Sequence, residues 1–293
     1  MSAPPSPLES LYPVSGSAIP ASRYSYDQLA AIYNQTRVDY IVPMPMNAKR
    51  MHEYIHYYDI DLDASFVAIN DDGEETGIAM LGIREDRSWI TRLGIIPARR
   101  GNRIGQFLME HLIEESLRQG IQAMQLEVII GNEPAMQLFH KLGFENTREL
   151  LVIRRPPGQP DPGLAPAAVT VSPIDPAYLS DLLMQRPGVY SWVDENQSML
   201  NINSLHGIYA ELSDGNACWL VYQYTPFQLG HFAFNPDTSP EALHAALYAL
   251  HDAYPMQDTK IENLPVDNPL WSVFQRMGYF EVFRRMEMTM YLR

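Results

Sequence analysis

Leu93-Gly94-Ile95-Ile96-Pro97-Ala98-Arg99-Arg100-Gly101-Asn102-Arg103-Ile104-Gly105 reads as the end of a strand, a tight basic loop and the first turn of a helix in immediate succession. An amphipathic run over 106–119 continues the helix. A helix start leaves backbone N–H groups without intrahelical acceptors and carries the positive end of the dipole, so it favours an anion. Gly101 and Gly105 let the main chain approach a bulky anion, and Arg99, Arg100 and Arg103 add donors suited to phosphate. The guest this loop predicts is a pyrophosphate.

Outward from the loop, the spacing predicts helices over 25–34 and 47–58. Strands over 66–70 and 77–84 flank an Asp71-Asp72-Gly73 turn, and a third strand covers 89–96. After the long helix come a strand over 125–130, a short helix beyond Asn132 and a strand over 150–154. Helices alternating with strands give an α/β (α+β) protein.

The plan occurs twice. Pro156-Pro157 and the Pro- and Gly-rich stretch behind it divide the chain. Asn132 to Phe144 resembles Asp267 to Tyr279 at a shift of 135, which lays Leu138, Phe139 and Leu142 on Val273, Phe274 and Met277. The same shift sets 106–119 on 241–254, so one duplication accounts for both helix pairs. The expected organisation is a disordered leader (1–20), a first domain (21–156), a linker (157–167) and a second domain (168–293) whose first strand covers 169–174.

The bulk numbers narrow the classes. With 293 residues, 46% of them apolar, the chain can bury substantial cores. A net charge of −14 disfavours a general nucleic-acid binder; such acidity keeps a protein soluble first, and would also steer cations such as amines towards it. No apolar run is long enough to cross a bilayer, and the Pro- and Ser-rich start lacks the pattern of a signal peptide. One cysteine, Cys218, excludes an internal disulfide and suits a cytoplasmic protein.

Pro97-x-x-Arg100-Gly101-x-x-Ile104-Gly105, Leu126-Glu127-Val128 and Asn132-x-x-Ala135 to Gly143-Phe144, in this order, resemble the motifs of the GNAT family of acyl-CoA N-acyltransferases. The resemblance implies two tandem domains, each a mixed, mostly antiparallel sheet flanked by helices, the second degenerate. It implies acetyl-CoA as co-substrate, lying where the fourth and fifth strands splay apart. The main chain at Ile95 and Ile96 would hold the pantetheine arm and the thioester carbonyl. Arg100, Gly101, Asn102, Arg103, Ile104, Gly105 and Gln106 would cradle the pyrophosphate. Asn132 and Phe139 would meet the cofactor from the following helix. Arg100→Ala is then expected to weaken coenzyme binding by about 1.5–3 kcal/mol, the loss of a charged hydrogen bond.

Two departures from the family pattern bear on chemistry. Arg103 stands where the family loop usually has glycine; a negative φ accommodates it, whereas a positive φ strains the loop by about 1–3 kcal/mol. Phe139 stands where many members have a tyrosine that protonates the departing thiolate. A thiol has a pKa near 8.5, so leaving unprotonated at neutral pH costs only about 2 kcal/mol. A water or a tyrosine such as Tyr54 is an alternative donor.

The acceptor amine makes the larger demand. Reaching the neutral form at pH 7 costs about 4.6 kcal/mol for a lysine-like amine and about 1.4 for a peptide α-amine. A general base therefore matters more than an acid. Glu127 is the candidate, in the place of the proposed base in ribosomal-protein N-terminal acetyltransferases, which this region resembles. Its structural alternative is a pair with an arginine or a loop amide. Glu85 and Asp86 are weaker candidates in a turn.

Other signals carry less. His52-Glu53-Tyr54-Ile55-His56 matches a zinc-protease pattern, but no third ligand stands in a helical context, and no metal is expected. In the second copy, Asn235, Pro236, Thr238 and Pro240 replace Arg100, Gly101, Arg103 and Gly105; prolines lack N–H donors, so this copy is expected to bind no acyl-CoA. Trp192, Trp219, Tyr222 and Tyr224 would line an acceptor pocket or pack a core, and Cys218 is expected to be buried and inert. The expected activity is N-acetyl transfer to a primary amine of a small molecule or peptide by a monomer or homodimer. Its alternatives are a non-catalytic acyl-CoA-binding or regulatory module and a scaffold without sites.

Overall fold

Residues 16–292, apart from 41, 43 and 168, are described by the computed structural model of the chain. Most of the leader therefore lies outside the described residues, but its end does not. Ser17–Pro20 forms strand β1 and pairs with β2 (Ile60–Ile69). Helices α1 (Tyr26–Thr36) and α2 (Ala48–Tyr57) precede β2, and β3 (Glu75–Arg84), β4 (Arg87–Ile95), α3 (Ile104–Arg118), β5 (Ala123–Ile129) and α4 (Glu133–Lys141) follow it.

Local chemistry fixes these boundaries. Ser25 and Gln28 close a reciprocal capping box on α1, and the Asn47 side chain accepts from the Arg50 amide at the start of α2. Asn70 Oδ1 accepts from the amides of Asp72 and Glu74 and so shapes the β2–β3 turn. β2 is longer than its apolar pattern predicts, because its register slips between Asp61 and Phe66 and breaks the alternation.

The second half supplies β6 (Glu145–Arg155), β7 (Val169–Pro173), α5 (Leu179–Met184), α6 (Asn196–Asn201), β8 (Leu205–Leu212), β9 (Ala217–Tyr224) and β10 (Gln228–Phe234). It ends with α7 (Pro240–Ala253), β11 (Asp258–Pro265), α8 (Trp271–Arg276) and β12 (Phe280–Tyr291). The expected helix 241–254 is α7, with Ser239 as its cap and Pro240 in its first turn.

Two units result, and they are not the contiguous halves 21–156 and 168–293. The first runs through Glu127 and adds Asn132–Asn146 and Met288–Arg293; the second is Val128–Gly131 with Thr147–Glu287. In the first unit the strand order is β1-β2-β3-β4-β5, and the Leu292 amide donates to Gln122 O beside β5. In the second the order is β6-β11-β10-β9-β8-β7, with β6 antiparallel to β11. Most of β6 thus serves the second unit. An apolar run such as Leu150-Leu151-Val152-Ile153 fits any sheet interior, so periodicity does not reveal which unit it joins.

Each unit has its own core. In the first, Ile104, Leu108, Leu112 and Ile113 of α3 are buried, as are Ile78, Met80 and Leu81 of β3. At about 1.5–3 kcal/mol per large apolar side chain, this stripe anchors the helix whose start faces the loop. In the second, Leu243, Ala246, Leu247 and Leu250 of α7 cluster with Cys218, Leu220, Tyr222 and Phe274. Trp192 and Trp219 are also buried and Tyr224 packs against the cluster, so all four aromatics serve this unit's packing. The stretch 157–167 has the composition of a linker but is tied down. Gly158 N–H donates to Pro255 O, Arg155 Nη2 to Gly158 O, and His244 Nε2 lies 2.8 Å from Leu164 O.

Candidate active site

β4 and β5 run parallel and are partners from Arg87 with Ala123 to Ile90 with Leu126. Beyond Ile90, β4 bulges: its register against β3 slips, and Arg92 adopts φ +54°. A bulge bends its strand and re-aims the side chains next to it. Two arginines brace the bend. Arg37 Nη2 donates to Leu93 O (2.8 Å), and Arg92 Nη1 donates to the Tyr33 hydroxyl (2.9 Å) with its guanidinium 4.0 Å from the Tyr54 ring centre. Gly94 is required here, because a Cβ would fall 2.3 Å from Thr36 Oγ1.

Glu127 lies one residue past the last β4–β5 pair, and its Oε2 accepts a 2.7 Å hydrogen bond from the Trp89 indole N–H. Tyr54 and Tyr58, at the end of α2, close over Trp89 with ring centres 6.3 and 5.7 Å away. The Tyr54 hydroxyl is 2.6 Å from Thr91 Oγ1. Burial pushes that phenol up to about 12, against the lowering effect of Arg92. Tyr54 is therefore a neutral hydroxyl throughout the physiological range.

Pro97–Arg99 makes one 3-10 turn between β4 and the loop. Arg99 is ion-paired with Glu74. Arg100 grips Asp39 through both terminal nitrogens (2.7 and 2.8 Å), and this bond holds the Asp39 carboxyl below its usual range. Arg100 also donates to Thr36 O and Ile95 O, each at 3.3 Å. Its side chain thus braces the loop from behind. Arg103, at the head of α3, has φ +59°, the left-handed conformation that favours glycine. Gly101 has φ +85°, with open space where a Cβ would stand.

The ladder of α3 starts with Phe107 N–H to Arg103 O, so the first-turn amides of Ile104, Gly105 and Gln106 point out of the helix start. Ile96 N–H donates to Thr76 O on the β3 side, and alternation along the strand turns the Ile95 amide the other way, towards the gap. Asn132 heads α4 without a side-chain capping bond, and Gln106 is tied to Lys141 of α4. Phe139 is buried edge-to-face against Phe144.

Trp89, Thr91, Arg92 and Asp39 were not among the expected site residues. Trp89 and Glu127 come together only through the parallel register of β4 and β5, which no local pattern encodes. His52 packs edge-on against Tyr26, and no group of three or more His, Cys, Asp or Glu suited to a metal gathers among the described residues. None of the described helices is long and apolar enough to cross a membrane.

The second unit keeps part of this plan. β10 and β11 are parallel partners only at Gln228–Leu229 with Asp258–Thr259, and β10 bulges at His231 with φ +52°. Glu262 stands 135 residues after Glu127, ion-paired with Lys260 (2.6 Å) and Arg285 (2.8 Å). Where the first unit has its loop, Asn235 bonds the main chain of Trp219 and Ala217, and Ser239 Oγ accepts the Ala242 amide of α7. The turn Trp192–Asp194 packs on both β10 and β11. Cys218 is buried and its thiol pushed up to about 12, which makes it inert.

A model of the acetyltransferase (GNAT) family matches residues 29–144. Over 82 residues the chain is 30% identical to a candidate ribosomal protein bS18-alanine N-acetyltransferase of Bacillus subtilis (strain 168), covering 28% of this chain and 54% of that one. It is 32% identical over 82 residues to streptothricin acetyltransferase of Streptomyces lavendulae, covering 27% and 43%. The chain thus spans about half the length of the curated relatives it matches. A tandem GNAT protein from the clavulanic acid biosynthesis pathway has the same fold over 94% of this chain and 98% of its own, with TM-score 0.65 and 12% identity.

Proposed function

We propose that the first unit, which the acetyltransferase (GNAT) family model matches over residues 29–144, is a working member of that family and transfers an acetyl group from acetyl-CoA to a primary amine. One juxtaposition carries this reading: Glu127 sits at the mouth of the β4–β5 gap, and β4 leads through the basic loop into the amide-bearing start of α3. The residues fit the coenzyme. Main-chain amides of Gly101, Asn102, Ile104, Gly105 and Gln106, with Arg103, would hold the diphosphate. The Ile95 main chain would meet the pantetheine arm, and Asn132 and Phe139 would border it from α4.

Bound acetyl-CoA supplies an activated thioester. Glu127 accepts the proton of the attacking amine, directly or through a water, which leaves the nitrogen lone pair free to attack. The Ile95 amide, turned into the gap, stabilises the oxyanion. The acyl group passes directly to the amine, since Cys218, the chain's single cysteine, is buried in the second unit. Phe139 offers no proton to the departing thiolate, a loss of about 2 kcal/mol that slows the step without blocking it. The amine is carried by a small molecule or a peptide. The second unit binds no acyl-CoA, because Pro236 and Pro240 lack N–H donors, no arginine stands in its loop, and Ser239 Oγ already accepts the Ala242 amide. The enzyme works in the cytoplasm, without nucleic acid, membrane or metal, as a monomer or homodimer.

Thiol release from acetyl-CoA across a panel of amines tests the reading. Turnover with any amine, lost in Glu127→Gln, supports it. Phe139 motivates a second reading, a non-catalytic acyl-CoA-binding module; tight coenzyme binding with no turnover on any amine returns the protein to that class.

A further inference from the structure

Trp89 and Glu127 meet diagonally across the last parallel pairs of the first unit's sheet. Trp89 is the register partner of Gln125, and Glu127 lies two residues further on, so their side chains share one face. Trp89 is 3% exposed, and its indole N–H, which can only donate, lies 2.7 Å from Glu127 Oε2. Tyr58 meets the indole edge-on and Tyr54 lies tilted across it, which locks the donor in place.

We propose that Trp89 is a positioning residue for acetyl transfer, holding Glu127 Oε2 and so fixing how the carboxylate is oriented towards the acceptor amine. This rests on Glu127 being the base. An N–H aimed at a carboxylate favours its ionised form, the form that accepts a proton. Other groups set the same field: Arg92 on β4, Tyr54 on α2, Tyr58 just after it, and Tyr33 on α1. Arg92 acts in the same sense as the indole. Trp89 donates to the carboxylate through a side chain that never titrates.

Two measurements test the proposal. In 15N-labelled protein, which has four tryptophans, the Trp89 indole proton should resonate downfield and move with pH as Glu127 titrates. Both features should vanish in Glu127→Gln. A Trp89 indole signal indifferent to that substitution overturns the proposal without any assay of activity. In turnover, Trp89→Phe keeps an aromatic ring but no donor. It should lower kcat about tenfold, leave KM for acetyl-CoA unchanged and raise the acid limb of the pH profile by about one unit. If Glu127→Gln is inactive while Trp89→Phe keeps the wild-type acid limb, Trp89 merely packs and the inference falls alone. If Glu127→Gln turns over normally, the base assignment fails and the inference with it.

Discussion

Arg100 and Asp39 form a two-pronged ion pair, 2.7 and 2.8 Å, that ties the basic loop to the segment after α1. Both side chains are about half exposed, so the pair is screened and orders the loop more than it stabilises the fold. Read from sequence, Arg100 is a phosphate ligand; in the structure its guanidinium donates to Asp39, Thr36 O and Ile95 O. Arg100→Ala and Asp39→Ala should each weaken coenzyme binding about three- to tenfold by titration calorimetry, and the double variant should lose no more than either single one. Unchanged binding in Asp39→Ala beside a much larger loss in Arg100→Ala would restore the direct contact.

Arg103 presents the opposite situation, a side chain held where its backbone is unfavourable. At φ +59° a non-glycine residue is strained by about 1–2 kcal/mol. Glycine removes that strain but gives back part of the gain through a more flexible unfolded chain. Arg103→Gly should therefore raise the first unit's stability by about 0.5–1 kcal/mol, read as a higher unfolding midpoint in urea. Arg103→Ala, which keeps the Cβ, should not. Equal midpoints for the two variants would place the loop's cost elsewhere.

These two arginines show how far the sequence was legible. The strand-loop-helix order, the helices near 25–34 and 47–58, and the paired helices 135 residues apart are legible in the sequence, and the structure contains each of them. Whether Arg100 points at phosphate or at Asp39 depends on a contact across 61 residues, and the sign of the Arg103 φ depends on how the loop closes. The meeting of Trp89 with Glu127 needs a strand register. The placing of most of β6 in the second unit needs knowledge of both units at once. Long-range pairing, rather than local propensity, set those outcomes.

Tyr54 illustrates a prediction that only burial supplies. Its hydroxyl, bonded to Thr91 and pushed up to about 12, stays protonated across any practical assay range. Tyr54→Phe should leave the alkaline side of the kcat/KM profile below pH 10 unchanged. It should still cost about 1 kcal/mol of stability, because the Thr91 hydroxyl loses its partner. Loss of a basic limb near pH 8–9 in this variant would mean that Tyr54 titrates in the working range and supplies the proton Phe139 lacks.

Asp194 gives the second unit a distinct pH dependence. Burial pushes its carboxyl up to about 7, against the lowering effects of the Ser191 hydroxyl, which donates to Oδ2 at 2.9 Å, and of Arg186. The folded state therefore holds a proton that the unfolded chain, with an ordinary value of 3.8, releases. Between about pH 4 and 7 the folded state binds more protons, so this group's contribution is complete below pH 4 and is lost as pH rises through 7. The loss is of the order of a few kcal/mol at about 1.4 per unit. Asp194→Asn mimics the protonated form and should unfold at higher denaturant than the wild type at pH 8, with the advantage gone at pH 4. Tryptophan fluorescence during urea unfolding at both pH values measures it. An Asn variant equally less stable at both would mean that the carboxylate is charged and satisfied in the fold.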